Sequence, residues 1–230
     1  MSPKFSAIVT DIEGTACPIR FVTETLFPYA RKRLRNFIEQ HAGRPDVAEQ
    51  LAAARALGGL EDRSDAAVTA LLLGWMDEDR KATPLKALQG FVWAEGYREG
   101  SLTSEIYPEV PDRLRAWHAG GLRLFVYSSG SVEAQRLLFG HTPAGDLTPI
   151  FEGFFDTKIG GKLAVASYQA LVAAIGLPAG QVLFLSDHEG ELDAAASAGI
   201  VTACLDREGD GRSDRHPVHR DFSTIEPAPL

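Results

Sequence analysis

The sequence predicts an α/β fold: a doubly wound parallel sheet, interrupted after its first strand by an all-helical insertion. Three observations predict it. The apolar runs in "FSAIVTD", "LRLFVYSSG", "QVLFLSD" and "IVTACLD" each end in polar residues, and those after residue 105 alternate with helical patterns. Residues 23–105 carry helical periodicity and no convincing strand. The run at residues 5–10 matches the later strands in length and apolar pattern, so it belongs to their sheet.

The elements follow in order. Ala7, Ile8 and Val9 read as a buried strand, with Asp11 and Glu13 at its tip. From about Thr23, "TLFPYARKRLRNFIEQHAG" sets Leu26, Tyr29, Ala30, Leu34, Phe37 and Ile38 near one face, and Gly43 closes the helix. "DVAEQLAAARALGG", "DAAVTALLLGWMDEDRK" and "TPLKALQGFVWAEGYREG" continue the helical pattern. "EVPDRLRAWHAGG" is a helix with a glycine stop, and "LRLFVYSSG" a strand ending in small polar residues. "SVEAQRLLFG" is a helix capped by Ser131, with Glu133 in its first turn. "KLAVASYQALVAAIG" is a helix, "QVLFLSD" a strand ending in Asp187, "GELDAAASAG" a helix and "IVTACLD" a strand. The polar run at residues 206–221 reads as a loop. The expected division is a core of residues 1–20 and 108–230 with an inserted helical segment of residues 21–107.

Composition limits the functions on offer. The chain has 230 residues, 45% of them apolar, which is ample for a core without a disulfide or metal staple. A formal net charge of −8 argues against nucleic-acid binding through phosphate contacts. No basic amphipathic stretch suits a membrane surface. Only Cys17 and Cys204 are present, far apart, so no secreted disulfide framework is expected. No signal-peptide pattern and no apolar run of transmembrane length appear, and the expected setting is soluble and cytoplasmic.

In open parallel sheets, sites lie beyond the C-terminal ends of the strands. Here those ends carry Asp11 and Glu13, Ser128 and Ser129, and Asp187, while "DTKIGGKLAV" adds Lys158 and Lys162 ahead of a helix. Carboxylates, hydroxyls and an ammonium at one edge suit phosphoryl transfer. Phosphate monoesters repel anionic nucleophiles, so Mg²⁺ on one or two carboxylates must first reduce the charge. Asp11 is placed to attack phosphorus in line and form an aspartyl-phosphate. Asp187 offers a second metal ligand, and Ser128 with a neighbouring N–H holds phosphoryl oxygens. Lys162 offsets charge in the transition state, and Glu13 offers a carbonyl ligand and a side chain to handle a proton. Taken singly these are ordinary turn and cap residues: Asp187 is read equally well as the cap of the next helix, and His188 as a surface residue. Their order along the chain is what points to one site. Ser128 and Ser129 have no His–Asp partner motif, which discounts a serine hydrolase.

The ordered set "DIEGT", "YSSGS", a lysine before a helix and "SD…ELDAA…AG" resembles the haloacid dehalogenase superfamily. Longer blocks, "SSGSVEAQRLLFGHT" and "DTKIGGK" above all, resemble the enolase-phosphatases of methionine salvage, over residues 7–222. The resemblance implies a Rossmann-like core, a helical cap that closes over the substrate, one Mg²⁺ and a monomer. The implied reaction enolises the diketone of 2,3-diketo-5-methylthiopentyl-1-phosphate and then removes the phosphate to give an acireductone. It makes Asp11 the nucleophile and a metal ligand, Glu13 a catalytic residue and a ligand through its carbonyl, and Asp187 the third protein ligand. It assigns substrate binding to Ser128 and Ser129, phosphate binding and catalysis to Lys162 rather than Lys158, and a supporting role to Glu191. Lys81, Lys86 and Gln89 in "DRKATPLKALQGFVW" become possible substrate contacts. The chain departs from the family pattern at Ala16, Cys17 and Arg20. The rival readings are a generic small-molecule phosphatase, a dehalogenase using Asp11 on carbon, and a silent binding protein on the same fold.

Overall fold

The computed structural model describes residues 4–209, 213–226 and 228–229. The chain forms two compact units, Met1–Ile19 with Ser104–Leu230, and Arg20–Thr103. Of the segment 206–221 expected to be a loop, residues 210–212 lie outside the described residues, as do 1–3, 227 and 230 of the expected core.

The first unit is built on a parallel sheet. Its opening strand breaks at Ser6: β1 (Lys4–Phe5) pairs with Ala228–Pro229, and β2 (Ala7–Thr10) enters the main sheet. Then come α5 (Val110–Ala119), β3 (Arg123–Tyr127), α6 (Val132–Gly140), β4 (Phe151–Phe155), α7 (Val165–Ile175), β5 (Val182–Ser186), α8 (Glu189–Ser197), β6 (Val201–Leu205) and β7 (Val218–His219). The two-residue strand Ala228–Pro229 closes the count as β8. The main sheet runs β4-β3-β2-β5-β6-β7, with every pairing parallel. The order reverses direction at β2, which puts the first strand at the switch point where such sheets bind ligands. β2 is completely buried, as its unbroken apolar run requires. Below one face, Val9, Phe125, Tyr127 and Phe184 pack against Tyr168, Leu171 and Ile175 of α7 and Leu192 of α8.

Three sequence-based boundaries are corrected. β4, "FEGFF", was not anticipated: it is short, and Gly153 interrupts the β-forming residues. β7 lies inside the segment expected to be a loop. The helix expected from Lys162 begins at Val165, because residues 157–163 form turns held by Asp156 and Gly161. Ser131 caps α6 as expected, its hydroxyl accepting from the Ala134 N–H at 3.2 Å. Asp187 is not the cap of α8; His188 takes that position, its imidazole accepting from the Glu191 N–H at 3.4 Å.

The second unit is helical throughout. A π-helical turn (Phe21–Leu26) runs into α1 (Phe27–His41), followed by α2 (Pro45–Gly58), α3 (Asp65–Asp77) and α4 (Thr83–Arg98). Helical structure starts at Ile19, four residues before the expected Thr23. Leu34, Phe37 and Ile38 of α1 pack with Leu51 of α2, Leu72 and Trp75 of α3, and Leu88 and Val92 of α4. None of the helices is long and apolar enough to cross a membrane, among the described residues.

Candidate active site

The register of the sheet gathers the strand-end residues. Thr10 lies opposite Val126 on one side and Leu185 on the other. Asp11, Ser128 and Asp187 therefore emerge from three adjacent strands within two residues of a common level. The Asp11 N–H donates to the Leu185 carbonyl at 2.9 Å, extending the ladder one residue beyond the strand.

Beyond Asp11 the chain folds into a tight loop. The Ile12 carbonyl accepts from the N–H groups of Thr15, Ala16 and Cys17 at 3.1, 2.9 and 2.8 Å. Gly14 sits at φ +74°, and a Cβ there would fall 2.2 Å from Asp187 Oδ2. Glycine is required twice over: for the left-handed backbone and to let the Asp187 carboxyl lie against the loop. The Asp187 N–H donates to Thr15 Oγ1 at 3.0 Å. The two loops are thus bonded to each other.

Lys162 is 7% exposed, and its Nζ lies 2.6 Å from Asp11 Oδ1 and 2.6 Å from Glu191 Oε2. Burial works against its charge, but the Asp11 and Glu191 carboxylates outweigh it and hold the ammonium above the ordinary lysine range. Lys158 is exposed, its N–H donating to Asp156 Oδ1 at 2.9 Å. Glu191 also accepts from Ser186 Oγ at 2.9 Å. Burial, then the nearby charge of Asp11, pushes the Glu191 carboxyl above the usual range. Glu13 accepts from Ser128 Oγ at 3.1 Å, and its carboxyl is likewise raised by burial and then by Asp11. Ser128 is fully buried and also accepts from the Gly130 N–H at 3.1 Å, whereas Ser129 is exposed. In the helical unit, Gln89 is buried on α4, and Lys81 is exposed beside Asp79 at 3.0 Å.

Sequence reading missed Gln135, which is 1% exposed and whose Nε2 donates to the carbonyls of Gly130 and Phe155 at 2.8 Å each. It ties the loop after β3 to the end of β4. Its place on the inner face of a nine-residue helix was the one available signal.

The donor set suits a hard divalent cation. Asp11 and Asp187 supply carboxylates, and among the described residues no hydrogen bond is directed to the Glu13 carbonyl. Among those residues no three His, Cys, Asp or Glu side chains form a ready cage. Mg²⁺ asks for less, since one or two carboxylates suffice when water and a phosphate supply the other oxygens.

A switch-point strand ending in a buried carboxylate, opposed by a buried lysine and flanked by hydroxyl and carboxylate strand ends, has a known class. Residues 5–199 match the haloacid dehalogenase-like hydrolases, and the chain belongs to that family. Its relatives narrow the class. Enolase-phosphatase E1 of Pseudomonas aeruginosa strain UCBPP-PA14 is 55% identical over 219 residues, covering 95% of this chain and 97% of the relative. Enolase-phosphatase E1 of Parvibaculum lavamentivorans is 58% identical over 201 residues, covering 87% and 86%. Within the hydrolases, the chain belongs with the enolase-phosphatases. The crystal structure of the UTR4 protein of Saccharomyces cerevisiae superposes with a TM-score of 0.81 at 37% identity, covering 96% of this chain and 100% of that one. The L-2-haloacid dehalogenase RSc1362, at 21% identity and a TM-score of 0.56, shares the fold.

Proposed function

We propose that this protein converts 2,3-diketo-5-methylthiopentyl-1-phosphate to the acireductone 1,2-dihydroxy-3-keto-5-methylthiopentene and phosphate. Enolisation comes first, and dephosphorylation through an aspartyl nucleophile follows. The observation that carries the reading is the Asp11–Lys162–Glu191 contact at the switch point, in a chain whose relatives are enolase-phosphatases.

Each residue has a job in this reading. Asp11 attacks phosphorus; the P–O bond to the organic fragment breaks, and Glu13 moves a proton to the departing oxygen. Water then cleaves the aspartyl-phosphate and regenerates Asp11. Ser128 and Ser129 hold substrate oxygens. Lys162 keeps Asp11 oriented and offsets charge on the transferring phosphoryl group, and Glu191 keeps Lys162 in place. One Mg²⁺, held by Asp11, the Glu13 carbonyl and Asp187, supplies Lewis-acid neutralisation of the phosphate when bound. Residues 1–20 and 108–230 serve as the catalytic core and residues 21–107 as the helical cap. We read the protein as a cytoplasmic monomer that binds neither nucleic acid nor membrane.

The test is to incubate the protein with the diketo phosphate, with Mg²⁺ or with EDTA, following ultraviolet absorbance and free phosphate together. A transient enol absorbance followed by phosphate release, both lost in EDTA, is the expected result. Phosphate release from many esters with no enol signal would move the function to a generic phosphatase.

A further inference from the structure

We propose that Arg207 is a positioning residue for the metal loop: it holds the Thr15 carbonyl, and through Thr15 it keeps Asp187 in register with Asp11 and Glu13. The inference rests on the reading of the site given above.

Arg207 follows β6 by two residues and lies 192 positions from Thr15 in the chain. Its Nε donates to the Thr15 carbonyl at 3.1 Å, and Nη2 donates to the same oxygen. Nη1 pairs with Glu109 Oε1. The guanidinium carbon lies over the Tyr107 ring, 3.9 Å from its centroid, and 5.3 Å from the Phe222 centroid. The side chain is 9% exposed. All of this holds one group in one orientation, and the group it holds is a single loop carbonyl.

Thr15 is where the two candidate ligand loops join. It is fully buried, and its hydroxyl accepts the Asp187 N–H at 3.0 Å. The neighbouring Ala16 carbonyl accepts from the Tyr107 N–H at 3.1 Å. Successive carbonyls of the loop are thus gripped by Arg207 and by the residue whose ring supports Arg207. Within the loop the Ile12 carbonyl takes three N–H groups and the Cys17 carbonyl takes that of Gly14; these bonds shape the loop but do not fix it against the end of β6. An outside clamp sets its position. The planar fork matters: a lysine has the charge, yet a single ammonium cannot give two bonds to the Thr15 carbonyl and one to Glu109 from one rigid group.

The test uses the full chain, stripped of metal. Mg²⁺ binding is measured by isothermal titration calorimetry, beside kcat, KM and the unfolding temperature, for wild type, Arg207→Lys and Glu109→Gln. Outer partners of metal ligands are typically worth about 10–100-fold in metal affinity or activity. Arg207→Lys is expected to weaken Mg²⁺ binding by about tenfold or more, and to lower kcat with little change in KM at saturating Mg²⁺. Glu109→Gln, which frees one end of the clamp, is expected to shift the same quantities less and in the same direction. If wild type binds Mg²⁺ and Arg207→Lys binds it within twofold, the proposal is overturned, whatever the unfolding temperature. Should Arg207→Lys not fold, unchanged Mg²⁺ binding by Glu109→Gln overturns it instead. If wild type turns over the ester but binds no Mg²⁺, the metal reading itself falls, and the proposal with it.

Discussion

Replacing Lys162 with methionine separates what that residue does for the fold from what it does for the reaction. Its Nζ lies 2.6 Å from carboxylate oxygens of both Asp11 and Glu191, and the three side chains are 6%, 5% and 12% exposed. Solvent screening is therefore weak. Removing one partner of a buried ion pair costs about 3–5 kcal/mol, because the charge left behind has neither water nor a partner. Here two carboxylates are left facing each other, so the upper half of that range is expected. For a chain of this size, 1 kcal/mol moves the unfolding midpoint by about 2–4 °C, so Lys162→Met should lower it by about 8–20 °C. Adding Glu191→Gln removes one of the two stranded charges and should restore about half of the loss. Turnover should behave differently. A donor aimed at developing charge is worth about 10²–10³ in kcat, and nothing in the double variant replaces it. Circular dichroism melts and phosphate release on wild type, Lys162→Met and Lys162→Met/Glu191→Gln give both readings. A single variant that melts within 2 °C of wild type would refute the buried-pair reasoning. A double variant that recovers full turnover would refute the role assigned to Lys162.

Further predictions concern single positions. Gly14→Ala must place a methyl group against the Asp187 carboxyl at φ +74°, so it should cost about 1–3 kcal/mol and most of the activity; a wild-type melt and rate would count against the geometry of the loop. The Tyr168 hydroxyl is buried without a partner among the described residues, and burial pushes its pKa up. Tyr168→Phe should therefore be neutral or stabilising by about 1 kcal/mol, and a loss of 2 kcal/mol in urea unfolding would reveal an overlooked partner. Cys17 and Cys204 are fully buried, and burial, then the charge of Glu13, raises the Cys17 thiol. A disulfide reagent at pH 8 should titrate neither thiol in the folded protein and both after denaturation; rapid native labelling would contradict this packing.

The legible part of this protein was local. Buried strands announce themselves because β2 and β5 are covered on both faces, so their runs are uninterruptedly apolar. The cap at Ser131 was readable because the hydroxyl and the N–H it serves are three residues apart. β4 was not readable. At Gly153 its register against β3 shifts, and a Cβ there would meet the Phe125 ring at 3.1 Å, so a weak strand former is kept where two chains crowd. His188 is exposed, as its sequence setting suggests, and it rather than Asp187 takes the cap of α8.

At the site the same division holds. Sequence alone put carboxylates, hydroxyls and lysines at the strand ends, since the chemistry of a strand tip is written in the residues that follow it. It offered both Lys158 and Lys162, gave the charge-offsetting role to Lys162, and the family resemblance supported that choice. Only the turn at residues 157–163 sends Lys162 inward to Asp11 and leaves Lys158 in solvent. Arg207 lay in a segment read as a plain loop, and its partner carbonyl is 192 residues away. Hydrogen bonds between distant segments carry no periodic or spacing signal, because either end alone is an ordinary polar residue. The pairing exists only once the sheet has set β6 and the Asp11 loop on the same edge.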